Sequence, residues 1–134
     1  MSSDSRPVFT IFGAGLAGAL LAVRLARLGH RVDLYERRPD PRVKGAERGR
    51  SINLALSTRG LDALTRLGLA DEVMRDAIPM RGRLMHGRDG SLTYQQYGVM
   101  GEEAINSVSR SALNMALLDA AERGALTVTI DIDY

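Results

Sequence analysis

Gly13, Gly15 and Gly18 follow the apolar run Val8 to Phe12 and open an Ala- and Leu-rich stretch that reaches Leu28. Glu36 comes 18 residues after Gly18. Strand, glycine turn, helix and acid in that order are chemistry for a dinucleotide. Gly13 permits a tight turn, Gly15 leaves the backbone open to a pyrophosphate, and Gly18 lets the helix pack close to the strands. The helix N-terminus offers free N–H groups and partial positive charge to the phosphates. A carboxylate at Glu36 accepts hydrogen bonds from ribose hydroxyls. It also repels a 2′-phosphate, which argues against NADP at this turn. The motif serves FAD and NAD alike, because both carry the same ADP half. A glycine turn used only for packing is the competing reading.

Basic residues crowd the next segment. Arg37, Arg38, Arg42, Lys44, Arg48 and Arg50 fall close together, and Lys44 is the only lysine among the 18 basic residues of the chain. Arginine binds phosphates and carboxylates with a planar fork; a solvated basic loop is the plainer reading. Aromatic residues make up only 4% of the chain and no nucleic-acid motif appears, so no nucleic-acid partner is expected. There is no cysteine, which excludes disulfides, thiolate metal sites and cysteine nucleophiles. Two histidines, His30 and His86, cannot build a His-rich metal site.

Several elements must position these groups. The run Val8 to Phe12 reads as a strand buried on both faces. The helix after the turn ends at Gly29. Arg31 to Glu36 alternates and reads as a second strand, parallel to the first. Residues 37–50 form a long loop with Pro39, Pro41, Gly45 and Gly49 as breakers. Ser51 to Leu56 is ambiguous between strand and extended loop. Ser57 caps a helix over 58–67, with Leu61, Leu64 and Leu67 on one face, and a short helix spans Ala70 to Ala77. Arg83 to His86 and Leu92 to Gln95 pair through an Asp89-Gly90 hairpin turn. Ile105 to Val108 is a further strand, Ser109 caps a helix over 110–123 ended by Gly124, and Leu126 to Ile132 is a β-branched strand.

The whole chain has 134 residues, 45% apolar and 25% charged, with a formal charge of +2. That is an ordinary soluble composition for one domain with a core. The longest apolar run, Leu16 to Val23, is far too short to span a bilayer. The opening MSSDSRP is not a secretory signal; residues 1–6 read as a disordered leader, and a cytoplasmic location is expected. The chain stops at Tyr134 inside an expected strand, as a cut through a larger fold does. The expected class is α/β: a Rossmann-like FAD/NAD(P)-binding domain with a parallel sheet, truncated, plus a small antiparallel β element. Within 1–134, residues 7–36 are the βαβ dinucleotide unit and 80–109 a partial substrate-side β element.

Beyond the glycine motif, the segments GRSINLALS (49–57) and IPMRGRLMH (78–86), then Tyr97-Gly98 and Ser107-Val108-Ser109-Arg110, resemble the flavin-dependent aromatic hydroxylases. The likeness covers residues 8 to about 123. It implies FAD at the Gly13, Gly15 and Gly18 turn, with Glu36 on the adenosine ribose. Ala17 and the stretch Tyr35, Glu36, Arg37 and Arg38 then line the adenosine and pyrophosphate region. Ala55 matches a position beside the cofactor and Arg110 the family's cofactor-binding arginine. Arg110 also stands at the mouth of a helix N-terminus on the chain's own pattern. Arg83 and Tyr97 match residues that hold the carboxylate of an aromatic amino-acid substrate. Arginine supplies a fork and tyrosine one more donor.

The resemblance implies NADPH as reductant and O2 as oxidant, with a flavin hydroperoxide transferring oxygen to the ring. The cofactor carries the hard chemistry, so no catalytic side chain and no metal ligand is expected, and the 134 residues alone are expected not to turn over. A self-contained Rossmann NAD-binding oxidoreductase domain and a catalytically silent nucleotide-binding module stay open as alternatives. The oligomeric state is left open.

Overall fold

Val8–Phe12 forms strand β1 in a computed structural model that describes residues 7–43, 52–98, 104–123 and 128–132. The expected leader, the loop residues 44–50, Ser51 and the helix terminator Gly124 lie outside the described residues. β1 leads through the glycine turn into helix α1 (Leu16–Arg27), and the chain returns along β2 (Arg31–Glu36). β2 pairs parallel to β1, with Val8 opposite Arg31 and Phe12 opposite Tyr35. This is the βαβ unit that the spacing predicts.

The described chain divides into two compact units. The first holds β1, α1 and β2 together with the C-terminal elements, helix α4 (Arg110–Arg123) and strand β8 (Val128–Ile132). Its sheet has the order β1-β2-β8, all parallel, with β2 in the centre. Position in the sheet decides burial. Val32 and Leu34 of β2 are fully buried, and α1 packs on β2 and on α4 through Ala19, Ala22 and Val23. β1 is the correction here. It lies at the sheet edge, with Phe12 71% exposed, rather than buried on both faces. A continuous apolar run specifies a strand, but its burial depends on what flanks it.

The second unit covers residues 52–109. It contains β3 (Asn53–Leu56), α2 (Thr58–Arg66), α3 (Ala70–Met74), β4 (Ile78–Met80), β5 (Gly82–His86), β6 (Leu92–Gln96) and β7 (Ile105–Ser109). β7 is the centre of an antiparallel sheet of order β3-β7-β4. The ambiguous segment before Ser57 is thus a strand, because β7 supplies its ladder. β4 was not expected, since Pro79 lies in it. Proline is tolerated there because β4 is an edge strand. α3 stops at Met74, three residues short of the expected end. The Asp89-Gly90 turn does close the β5–β6 hairpin, setting Arg83 opposite Gln95 and Leu84 opposite Tyr94. Leu56, Leu64, Leu67, Leu69 and Val108 form the core of this unit. No helix among the described residues is long and apolar enough to cross a membrane.

Candidate functional site

The glycine turn is built as its spacing demands. Gly13 adopts φ +101°, which a side chain would strain. Its N–H donates to the Tyr35 carbonyl at 2.7 Å, so the pairing of β1 with β2 runs on into the turn. A Cβ on Gly18 would overlap the carbonyl oxygen of Gly13 and lie 3.4 Å from Ile11 Cγ2, so only glycine lets α1 start this close to β1. A Cβ on Gly13 or Gly15 would instead meet nothing within 4 Å. The space over the turn is open. Gly15 is the N-cap of α1, no side chain caps it, and the first turn carries no acid. An open backbone cradle facing an uncapped helix N-terminus suits a pyrophosphate.

Glu36 completes the arrangement. It is 7% exposed. Its Oε2 accepts from the Ala14 N–H at 3.0 Å, which ties the end of β2 to the glycine turn. Its Oε1 accepts from the Arg38 N–H at 2.9 Å and from Arg38 Nε at 3.1 Å, and Arg38 Nη2 approaches Oε2 at 3.4 Å. The Arg38 guanidinium, aided by the two backbone donors, outweighs burial and holds the Glu36 carboxyl down at about 2. Glu36 therefore stays ionised at neutral pH. A buried, ionised acceptor beside an open phosphate cradle fits the ADP half of FAD or NAD.

The other predicted cofactor residues are spread more widely. Ala17 is exposed in the first turn of α1. Tyr35 is half-buried and stacks on Phe12, ring centroids 5.4 Å apart, and Arg37 is exposed. Arg110 is exposed and is the first residue of α4, in the same unit as the turn; Ser109 before it closes β7. Ala55 is exposed on β3, opposite Ser107, in the second unit.

The basic loop is only partly an anion surface. Arg42 spends all five of its N–H groups on acids of its own chain. Nε donates to both Asp40 oxygens, Nη1 to Asp119 Oδ1 at 3.0 Å and Glu122 Oε2 at 2.8 Å, and Nη2 to Asp40 and to Glu122 Oε1. These bonds fasten the loop to α4 and leave Arg42 18% exposed. Arg42 is thus a structural clamp. Lys44, Arg48 and Arg50 lie outside the described residues.

In the second unit, Arg83 and Tyr97 line one open cleft of about 560 Å³, together with Ser57, Thr58, Gln95 and Ile105 among others. Arg83 Nε donates to Gln95 Oε1 at 2.7 Å. That bond leaves the two terminal amino groups of Arg83 with no hydrogen-bond partner among the described residues. The Tyr97 N–H donates to the Arg81 carbonyl at 2.8 Å, fixing the backbone where β6 ends. Gln95 was missed in the sequence. Counting back from the Asp89-Gly90 turn would have set it opposite Arg83.

Comparison with known proteins agrees with this architecture. The family described as NAD(P)-binding Rossmann-like domain matches residues 11–64. The fold is shared with 2-methyl-3-hydroxypyridine-5-carboxylic acid oxygenase at a TM-score of 0.73 and 24% identity, over 96% of this chain and 32% of that one. It is shared too with PqsL, a probable FAD-dependent monooxygenase from Pseudomonas aeruginosa, at 0.69 and 28%, over 96% of this chain and 33% of that one. The class is therefore a Rossmann-like α/β fold, shared with solved oxygenase structures. More closely, the chain is a relative of the kynurenine 3-monooxygenases. It is 52% identical to that of Myxococcus xanthus (strain DK1622) over 91% of this chain and 26% of the relative. It is 50% identical to that of Xanthomonas axonopodis pv. citri (strain 306) over 99% of this chain and 31% of the relative. The chain thus spans about 30% of the length of the curated relatives it matches.

Proposed function

We propose that the chain supplies the ADP-binding turn and a carboxylate-binding cleft of a flavin monooxygenase acting in the cytoplasm, which hydroxylates L-kynurenine to 3-hydroxykynurenine. FAD is the bound cofactor, NADPH the reductant and O2 the oxidant. Bound flavin supplies the redox chemistry, taking electrons from NADPH and activating O2. The chain's own residues bind and orient. Gly13, Gly15 and Gly18 shape the cradle that takes the pyrophosphate, and Glu36 accepts the ribose hydroxyls. Ala17, Tyr35, Arg37, Arg38 and Arg110 border the cofactor. Arg83, steadied by Gln95, turns its free amino groups to the substrate carboxylate, and Tyr97 adds a donor. Turnover is proposed for the whole length of such an enzyme and not for these 134 residues alone.

The observation that carries the reading is the buried Glu36 carboxylate bonded to the Ala14 N–H inside the glycine turn. The test is a titration of FAD into the purified chain, followed by quenching of flavin fluorescence, beside a parallel titration with NAD. Saturable FAD binding that Gly15→Val abolishes is expected. Tight NAD binding with no FAD uptake would move the assignment to a self-contained NAD-binding oxidoreductase domain.

A further inference from the structure

The Glu36 carboxylate is the group on which the nucleotide reading turns, yet its hydrogen-bonding capacity is already full. A carboxylate offers about four acceptor positions. Here the four donors are the Ala14 N–H, the Arg38 N–H, Arg38 Nε and Arg38 Nη2. A ribose brings two vicinal hydroxyls, and neither finds an acceptor position until a resident donor leaves.

The donors differ in how easily they leave. The two backbone N–H groups belong to the glycine turn and to the turn after β2, and neither moves without rebuilding that backbone. The two guanidinium donors sit on a side chain that is 72% exposed, and the Nη2 contact, at 3.4 Å, is longer than an ordinary N–H···O bond. Arg42, four residues on, shows the opposite design: it is 18% exposed with every N–H engaged. Of the two arginines, one is anchored and the other is held by a single carboxylate.

We infer that the Arg38 guanidinium is a displaceable cap on Glu36, satisfying the buried acid and giving way to the ribose diol of an incoming nucleotide. The exchange is one for one. Two N–H donors leave, two O–H donors arrive, and the carboxylate keeps its charge and all four bonds. At the ribose, Arg38 is then a competing residue for Glu36. A 2′-deoxyribose, with one hydroxyl fewer, cannot replace both guanidinium donors, so it binds more weakly than ribose by that one bond, with or without the cap. The inference rests on the nucleotide-binding reading above.

The experiment measures ADP and 2′-deoxy-ADP binding to the full chain by calorimetry, in the wild type, Arg38→Met, Glu36→Gln and the double variant. Methionine keeps much of the stem and removes the donors, and the position is exposed enough for the variant to fold. R38M is expected to bind ADP about two- to fivefold tighter, the range an exposed ion pair commands. Its preference for ADP over 2′-deoxy-ADP is expected to equal that of the wild type, because both ligands expel the same cap. In the E36Q background the same Arg38 substitution should change nothing, because the charge it competes for is gone. A carboxyl 13C titration adds a readout independent of affinity: the Glu36 signal should titrate nearer its ordinary range in R38M. Unchanged or weaker ADP binding by R38M overturns the cap and leaves the nucleotide reading standing. Absence of ADP binding in every variant overturns the nucleotide reading, and the cap with it.

Discussion

The Ala14 N–H donates to Glu36 Oε2 at 3.0 Å across 22 residues, joining the glycine turn to the end of the neighbouring strand. This bond makes the acid part of the turn's own framework and sets the acceptor before any ligand arrives. Preorganisation of this kind lowers the cost of ordering a site on binding.

The Glu36 carboxylate makes stability depend on acid. Glu36 is held at about 2 against an ordinary 4.5, with the Arg38 side chain the largest cause. Between those values the unfolded chain binds more protons than the folded one, so stability rises with pH across that window. The contribution is complete above about 4.5 and is lost as pH falls through about 2. Solvent around Arg38 weakens the pair, so Glu36→Gln should cost about 1–2 kcal/mol at pH 7 and much less near pH 2. Urea unfolding at several pH values checks this; a cost that does not change with pH would sink it.

Gly15 and Gly18 should separate binding from folding. A Cβ on Gly18 meets the Gly13 carbonyl, which is backbone and has nowhere to go. Gly18→Ala is expected to destabilise by about 1–3 kcal/mol, as overpacking does. A Cβ on Gly15 enters open space, and Gly15 has φ −71°, which alanine adopts freely. Gly15→Ala should cost less than about 1 kcal/mol as an N-cap change, yet lose nucleotide affinity because the methyl fills the cradle. Thermal unfolding beside an ADP titration tests both. Equal effects of the two variants on stability would contradict the geometry.

Arg83 and Gln95 should act as a pair. The 2.7 Å bond from Arg83 Nε to Gln95 Oε1 orients the guanidinium and leaves its amino groups for a carboxylate. On the proposed function, Arg83→Ala should weaken L-kynurenine binding roughly 10- to 100-fold, the worth of a charged hydrogen bond. Gln95→Ala should weaken it less, and should have no effect in an Arg83→Ala background. A chemical-shift titration of the chain with L-kynurenine measures all three.

What could be read from the sequence is what depends on neighbours in sequence. The βαβ unit, its boundaries and its parallel pairing follow from an apolar run, a glycine turn and an alternating strand, all local signals. The hairpin followed from Asp89-Gly90, while the cleft that Arg83 and Tyr97 line had no signal of its own in the sequence. β4 escaped because Pro79 argues against a strand until its edge position is known. The exposure of β1 escaped because periodicity reports a strand and says nothing of its flanks. The Arg38–Glu36 pair left a faint trace, an acid and a base two residues apart. Arg42 left the same trace toward Asp40 but none toward its other partners: Asp119 and Glu122 lie 77 and 80 residues away, and only the packing of α4 brings them together.

That packing yields the last prediction. Arg42 holds three carboxylates, two of them half-exposed, and without it Asp40, Asp119 and Glu122 would face one another with no cation between them. Arg42→Met should destabilise by about 1–3 kcal/mol at pH 7, between the values for exposed and buried pairs. Arg42→Lys should recover little, because an ammonium has three donors and no fork, and here five N–H groups reach three acids. The Arg42 guanidinium also holds Asp40 below its ordinary 3.8. A depressed carboxylate stabilises above its ordinary value and loses that contribution as pH falls. The gap between wild type and Arg42→Met should therefore narrow on acidification below 3.8. Denaturation midpoints of the three proteins at pH 7 and pH 3 decide it. A lysine variant as stable as the wild type would show that charge alone, and not the fork, fastens the loop to α4.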